Sequence, residues 1–178
     1  LIKGPEALEQ TRAVQVVLLD KTGTVTTGEM ALREVVAGTG EDADLVLDRA
    51  GALEESSEHP VARAIATAAR ERRTARGGPD EPPAAAGDFA ALAGLGVRGR
   101  VGGVEVVLGR PRLLLEAGLA VPADLAEAVD AAQSGGGTAV VVGWDGRARG
   151  VLVVADTVKQ TSAAAVTRLR ALGLRPVL

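Results

Sequence analysis

The sequence predicts an α/β (α+β) chain in which a six-stranded antiparallel sheet with flanking helices is inserted between two parts of a parallel α/β domain. Three observations predict this. Val14 to Leu19 is a largely apolar run of buried parallel-strand type. A helix followed by the start of a strand returns only at the other end, over Lys159 to Leu172 and from Arg175. Between them, from about Gly28 to Ala155, short strands separated by Gly-rich turns run in antiparallel order with helices interspersed. A middle module inserted into a split domain reconciles the two regimes and divides the chain into segments 1–27, 28–155 and 156–178.

Each element has its own signal. Gly4 to Thr11 reads as a short helix leading into the first strand. Met30, Leu32, Val35 and Val36 suggest a strand, and Val46, Ala50 and Leu53 set an apolar stripe on a helix from about Ala43 to Leu53. Pro60 stands at a helix N1 position, where its missing N–H costs nothing, and Val61, Ile65 and Ala68 to Ala69 carry that helix to about Arg73. Gly77 to Ala84 is rich in breakers and reads as a loop. Phe89 to Leu92, Gly96 to Val101 and Val104 to Leu108 form a meander, followed by helices over Arg110 to Gly118 and Pro122 to Gln133. Thr138 to Val142 and Arg147 to Val154 flank Trp144-Asp145-Gly146, whose Asp-Gly pair signals a hairpin. Asp156 or Thr157 is then expected to cap the last helix.

Composition excludes several functions. Of 178 residues 47% are hydrophobic but only 1% aromatic, so Ala, Val and Leu fill the core and no ring platform is left for stacking on bases. The net charge is −3 with basic and acidic residues interspersed, which argues against nucleic acid or a membrane surface as partner. Without cysteine, neither a disulfide nor a thiolate metal site can form within the chain. Apolar runs such as Ala139 to Val142 and Val151 to Ala155 fall far short of the roughly 20 residues that cross a bilayer. The ends, Leu1-Ile2-Lys3 and Arg175-Pro176-Val177-Leu178, read as cut, with no targeting segment.

The strongest chemical signal is Asp20-Lys21-Thr22-Gly23-Thr24, directly after the first strand. A carboxylate at a strand end, followed by small hydroxyl residues and Gly, can attack a phosphoryl group while the turn's N–H groups hold phosphate oxygens. The plainer reading is a solvated Asp in a turn, which a lone Asp-Lys pair would favour; the five-residue run after a buried strand does not. This run resembles the phosphorylation signature of P-type ATPases, whose phosphorylation domain has a haloacid-dehalogenase-like Rossmannoid fold. The resemblance implies Asp20 as the residue phosphorylated by ATP, with Lys21 and Thr22 as its catalytic neighbours. Related phosphatases carry a second Asp two positions on as general acid/base; here that position is Thr22, which cannot fill the role, so an aspartyl phosphate is expected to persist. The resemblance further implies Mg²⁺ bound by the Asp20 carboxylate and the Thr22 carbonyl. The site is incomplete, because this sequence stops before the Gly-Asp-Gly motif and the later catalytic Lys of the family.

A second constellation is Glu54-Glu55-Ser56-Ser57-Glu58-His59-Pro60, containing the only histidine. By itself a His before a helix-starting Pro reads as a cap or a solvated ring. Its place downstream of the phosphorylation run resembles the Ser-Glu-His-Pro element of the heavy-metal subgroup, which implies that His59 faces the adenine ring and that Glu54 accepts from the adenine amine. Ser56, Ser57 and Glu58 then shape the turn. Gly94-Leu95-Gly96-Val97-Arg98-Gly99 mimics a dinucleotide fingerprint, yet a strand follows where that motif needs a helix. Gly99, Gly102 and Gly103 read as hairpin turns, whereas Gly94 and Gly96 match the family's Gly-x-Gly, where absence of a Cβ lets the backbone approach the nucleotide. Gly109 matches a further family glycine. Arg110 departs from the Asn that often follows it; a guanidinium there can meet phosphate or solvent. Asp156-Thr157-Val158-Lys159 resembles the re-entry into the phosphorylation domain.

In sum the resemblance spans the chain in the right order. It implies the ATP-binding cytoplasmic segment of a heavy-metal-transporting, type IB, copper-exporter-like P-type ATPase of the cell membrane, with ATP and Mg²⁺ as cofactors. The transported metal ion would bind elsewhere in the pump, the other pump domains would be partners, and the segment alone would bind nucleotide with little turnover. Leu1-Ile2-Lys3-Gly4 and Thr26-Thr27-Gly28 resemble copper exporters more than zinc or cadmium pumps. The rivals are a soluble haloacid-dehalogenase-type phosphatase with the middle module as a cap, against which Thr22 argues, and a nucleotide sensor.

Overall fold

The computed structural model describes residues 14–78 and 86–178. The helix expected over Gly4 to Thr11 and residues 79–84 of the expected loop lie outside them. In chain order the elements are β1 (Val16–Leu18), a tight turn over Lys21–Val25, β2 (Thr26–Ala37), α1 (Ala43–Glu54), α2 (Pro60–Ala75), β3 (Gly87–Leu92), β4 (Gly96–Val101), β5 (Val104–Gly109), α3 (Pro111–Glu116), α4 (Ala123–Ser134), β6 (Thr138–Trp144), β7 (Arg147–Val158), α5 (Ser162–Ala171) and β8 (Arg175–Val177). They form two compact units, residues 1–29 with 156–178, and Met30–Ala155.

In the first unit β1 and β8 pair in parallel, Val16 opposite Arg175 and Leu18 opposite Val177, with α5 preceding β8 in the chain. Val16 and Leu18, read from sequence as buried, are exposed, Leu18 to 79%. Among the described residues one neighbouring strand is too little to cover both faces of β1. The expected cap at Asp156 or Thr157 is also corrected. Both residues lie in β7, which runs on to Val158, and α5 starts at Ser162 with Thr161 in the capping position and no side-chain cap. Asp156 instead hydrogen-bonds across the chain to Thr26 and Gly28.

The second unit is built on a six-stranded sheet in the order β2-β7-β6-β5-β4-β3, whose β3 to β7 pairs are all antiparallel. Successive residues of a strand face opposite sides, and the apolar residues here fill both sides. Val106, Leu108, Val140, Val142, Leu152 and Val154 pack with Val46, Leu47, Leu53 and Ile65 of α1 and α2. Val107, Val141 and Val151 pack with Leu113, Leu114, Leu125 and Val129 of α3 and α4. Each fully buried Leu or Ile contributes about 2 kcal/mol of transfer free energy. The near-absence of aromatics suits the helix pair. A Cβ placed on Gly51 of α1 would sit 2.3 Å from the Cβ of Ala69 on α2, so only small residues allow this approach.

Two joints are as expected: Pro60 opens α2 at the first turn, and Asp145 and Gly146, both at positive φ, form the two-residue turn between β6 and β7. In addition Pro111 opens α3, and Asp42 caps α1 by accepting from the Asp44 N–H at 2.8 Å. Gly99 is a correction. It lies inside β4 rather than in a turn, and a Cβ there would meet Leu53 Cδ1 at 2.8 Å and Gly87 O at 3.1 Å, so its smallness serves packing.

Candidate functional site

The sequence-predicted residues fall into two groups, one in each unit. In the first unit Asp20 stands two residues past the end of β1, in extended conformation and exposed, and its carboxylate makes no hydrogen bond among the described residues. Lys21 and Thr22 follow it, both exposed. Gly23, at φ +78°, closes the turn in a conformation that suits glycine.

Sequence reasoning missed what holds this turn. Thr26, 2% exposed, has its hydroxyl 2.8 Å from the Lys21 carbonyl and 2.5 Å from Asp156 Oδ2, while the Gly23 N–H donates to it at 3.3 Å. Asp156 Oδ1 accepts from the Gly28 N–H at 3.0 Å. Lys159 Nζ donates to the Gly23 carbonyl at 2.5 Å, and Ser162 Oγ to the Val25 carbonyl at 2.7 Å. Side chains from 130 residues downstream therefore fix the backbone beside Asp20. The only trace in the sequence is the Asp156-to-Lys159 run, and no local pattern says where its side chains reach.

In the second unit Glu54, His59, Gly94, Gly96 and Gly109 line one cavity of about 390 Å³. Its other walls are mostly apolar, among them Val61, Leu95, Val97, Leu108 and Val140, and Ser57, Arg110 and Thr138 also contribute. Glu54 ends α1 and is 5% exposed. Burial alone pushes its carboxyl up to about 7 from the ordinary 4.5, and its Oε2 has no hydrogen-bond partner among the described residues. An uncompensated buried carboxyl is costly to the fold and is the kind of group found at functional sites.

His59 is both a cap and a wall of the cavity. It occupies the N-cap of α2, where Nδ1 accepts from the Val61 N–H at 3.2 Å. That bond fixes the ring and leaves the proton of the neutral imidazole on Nε2, available as a donor. Ser57 Oγ accepts from the His59 N–H at 3.4 Å and so helps hold the turn.

The three glycines differ in physical role. Gly94 sits in the turn between β3 and β4 at φ +72°, and a Cβ there would meet nothing within 4 Å. Gly96 and Gly109 lie opposite each other in the β4–β5 ladder. A Cβ on Gly96 would lie 2.2 Å from Leu108 O, and one on Gly109 2.2 Å from Leu95 O. Both are glycine because two backbones meet there, at the cavity wall.

A pocket of this size with one unsatisfied carboxyl and a fixed ring N–H suits a flat, mainly apolar ligand that carries a hydrogen-bond donor. Among the described residues no group of three or more His, Asp or Glu side chains converges as a metal site, and no helix is long and apolar enough to cross a membrane.

Comparison with known proteins assigns the chain to a family. Residues 14–178 match the haloacid dehalogenase-like hydrolases. The chain is 46% identical over 175 residues to a probable copper-exporting P-type ATPase V of Mycobacterium tuberculosis, covering 98% of this chain and 22% of that protein. It is 41% identical over 181 residues to the cation-transporting P-type ATPase B of Mycobacterium bovis, covering 99% of this chain and 23% of that protein. A crystal structure of a zinc-transporting PIB-type ATPase superposes with a TM-score of 0.80 at 32% identity, over 99% of this chain and 27% of that one. The chain thus spans about a fifth of the length of the curated relatives it matches. It belongs to the haloacid dehalogenase-like hydrolase family, and its homologues are copper-exporting and cation-transporting P-type ATPases.

Proposed function

We propose that this chain is the ATP-binding cytoplasmic segment of a heavy-metal-translocating P-type ATPase, in which Asp20 accepts the terminal phosphate of ATP. The observation that carries the nucleotide reading is Glu54, a buried carboxyl with an unpartnered Oε2 in an otherwise apolar cavity. A 6-aminopurine answers that chemistry: its exocyclic amine donates to Oε2 and its faces lie on apolar walls and the His59 ring. The open space at Gly94 lets a ligand approach the backbone, and the Gly96–Gly109 contact shapes the wall beside it. At Asp20, attack of a carboxylate oxygen on the terminal phosphorus forms an aspartyl phosphate and releases ADP. Lys21 contributes positive charge next to the acceptor. Thr22 provides no general base, so hydrolysis of the acyl phosphate is not assisted from that position.

Mg²⁺ fits the donors present. The exposed Asp20 carboxylate, free of hydrogen bonds among the described residues, and the Thr22 carbonyl are hard oxygen ligands; Mg²⁺ commonly takes one or two carboxylates and completes its shell with water and phosphate oxygens. These two residues would hold it, and the ion would neutralise charge on the transferring phosphoryl group. The transported ion and the remaining pump domains belong to the rest of the protein. Copper is the finer reading of the cargo, supported by 46% identity to a probable copper-exporting P-type ATPase.

Calorimetric titration of ATP into the chain tests the site. His59→Ala and His59→Asn are both expected to weaken ATP binding about tenfold, the equivalent of about 1.4 kcal/mol. Asn still caps α2, so its loss of affinity separates base contact from helix stability. Asp20→Asn should leave ATP affinity unchanged and, in the full-length protein, abolish acid-stable labelling by radioactive ATP. Wild-type affinity in both His59 variants would remove the adenine-facing role of this residue.

A further inference from the structure

We propose that Arg110 binds the phosphate chain of the nucleotide and makes the cavity selective for nucleoside di- and triphosphates over the bare nucleoside. The proposal rests on the nucleotide reading of this cavity and adds to it a residue at which the sequence departs from the family pattern.

Four observations carry it. Arg110 lines the same cavity as Glu54 and His59 and is the only Arg or Lys among the described residues that does so. Its backbone is fixed: the N–H donates to Leu95 O at 2.8 Å and the carbonyl accepts from the Leu113 N–H at 2.9 Å, so the side chain is rooted beside the β3–β4 turn that contains Gly94. Its guanidinium is uncommitted among the described residues, whereas its neighbour Arg112 is held by Glu116 at 2.6 Å. Lastly, the lining is unequal in burial: Glu54 is 5% exposed, whereas Arg110, like His59 and Gly94, is exposed. An elongated ligand with a flat apolar end and an anionic end loses least by burying the first near Glu54 and leaving the second in solvent. Of the exposed lining residues, Arg110 is the one whose side chain offers an anion a permanent positive charge. Five N–H donors in a planar fork match phosphate oxygens, while a ribose hydroxyl needs no positive charge. Because the group is exposed, its contribution is modest and falls as salt screens it.

The test is calorimetric titration of adenosine, ADP and ATP into wild-type chain, Arg110→Ala and Arg110→Lys at low and high ionic strength. Arg110→Ala is expected to weaken ADP and ATP about three- to tenfold at low salt, leave adenosine unchanged, and flatten the salt dependence of ATP binding. Arg110→Lys should recover part of the loss, since a point charge remains without the fork. An equal loss for adenosine and ATP would make Arg110 a wall of the base site and overturn the proposal, as would no loss for any ligand. Wild-type chain that binds none of the three would instead overturn the nucleotide reading itself.

Discussion

Gly109→Ala is expected to lower the stability of the protein by about 3 kcal/mol or more, a large effect for one added methyl group. The new Cβ would stand 2.2 Å from Leu95 O and 2.8 Å from the Gly96 Cα. Both are backbone atoms, so no rotamer change relieves the overlap. Leu95 O is also the acceptor for the Arg110 N–H at 2.8 Å, and Gly96 sits at φ +150°, a conformation closed to most side chains. The strands must therefore part at this end of the β4–β5 ladder. Overpacking of a dense site costs about 1–3 kcal/mol, and each lost hydrogen bond adds about 1 kcal/mol. Gly94→Ala is the control. Its Cβ meets nothing within 4 Å, so it carries only the cost of its positive φ, about 1 kcal/mol. Urea unfolding followed by the fluorescence of Trp144, the single tryptophan and 4% exposed in the same unit, measures both. A wild-type midpoint for Gly109→Ala would mean that the two backbones do not meet as closely as described.

Glu54→Gln is expected to stabilise the protein at pH 8 while weakening its hold on ATP. Burial raises the folded-state carboxyl to about 7, and the unfolded chain titrates near 4.5. Between those values the folded state binds more protons. The contribution of this group is therefore fully present below about pH 4.5 and is lost as pH rises through 7. The shift corresponds to about 3 kcal/mol of destabilisation by the ionised form. Glutamine does not titrate, so the difference between variant and wild type should be small at pH 5 and grow towards about 3 kcal/mol at pH 8.

No neighbouring charge changes that sign. Among the described residues the other ionisable side chains lining the cavity are His59 and Arg110, and both are exposed. On the packed strands Arg98, Arg100 and Glu105 are exposed, alternating with buried Val97, Gly99, Val101 and Val106. On α2, Arg63 is exposed and Arg70 pairs with Glu55. Urea midpoints at pH 5 and 8 decide the matter, and parallel pH profiles for the two proteins would remove Glu54 as the source. A residue whose replacement stabilises the fold and weakens binding is one kept for function at the expense of stability.

Much of this was legible along the chain. Short apolar runs and Gly-rich turns give the six strands of the sheet, because a strand packed on both faces needs apolar residues in succession and its turns need positive φ, as at Asp145 and Gly146. The boundary of the last helix was not legible. Asp156 has the chemistry of an N-cap, and local propensity cannot show that its carboxylate is already taken by Thr26 and Gly28. Gly99 failed likewise: a glycine forced by the Leu53 side chain looks, in one dimension, like a glycine forced by a turn.

The sequence by itself determined the chemical candidates. An Asp at a strand end followed by Lys-Thr-Gly-Thr, and a Glu five residues before the only histidine, are facts of covalent order, and their residue types limit what each can do. Tertiary structure alone decided how those candidates are set. It brings Glu54, His59, Gly94, Gly96 and Gly109 to one cavity, buries Glu54 so that its ionisation moves towards neutrality, and fixes the His59 ring by a helix cap. It also straps the Asp20 turn with Asp156, Lys159 and Ser162. The physical reason is one of range. Residue chemistry and backbone periodicity act over a few positions, whereas desolvation, close approach of backbones and long-range hydrogen bonds exist only once distant segments have packed.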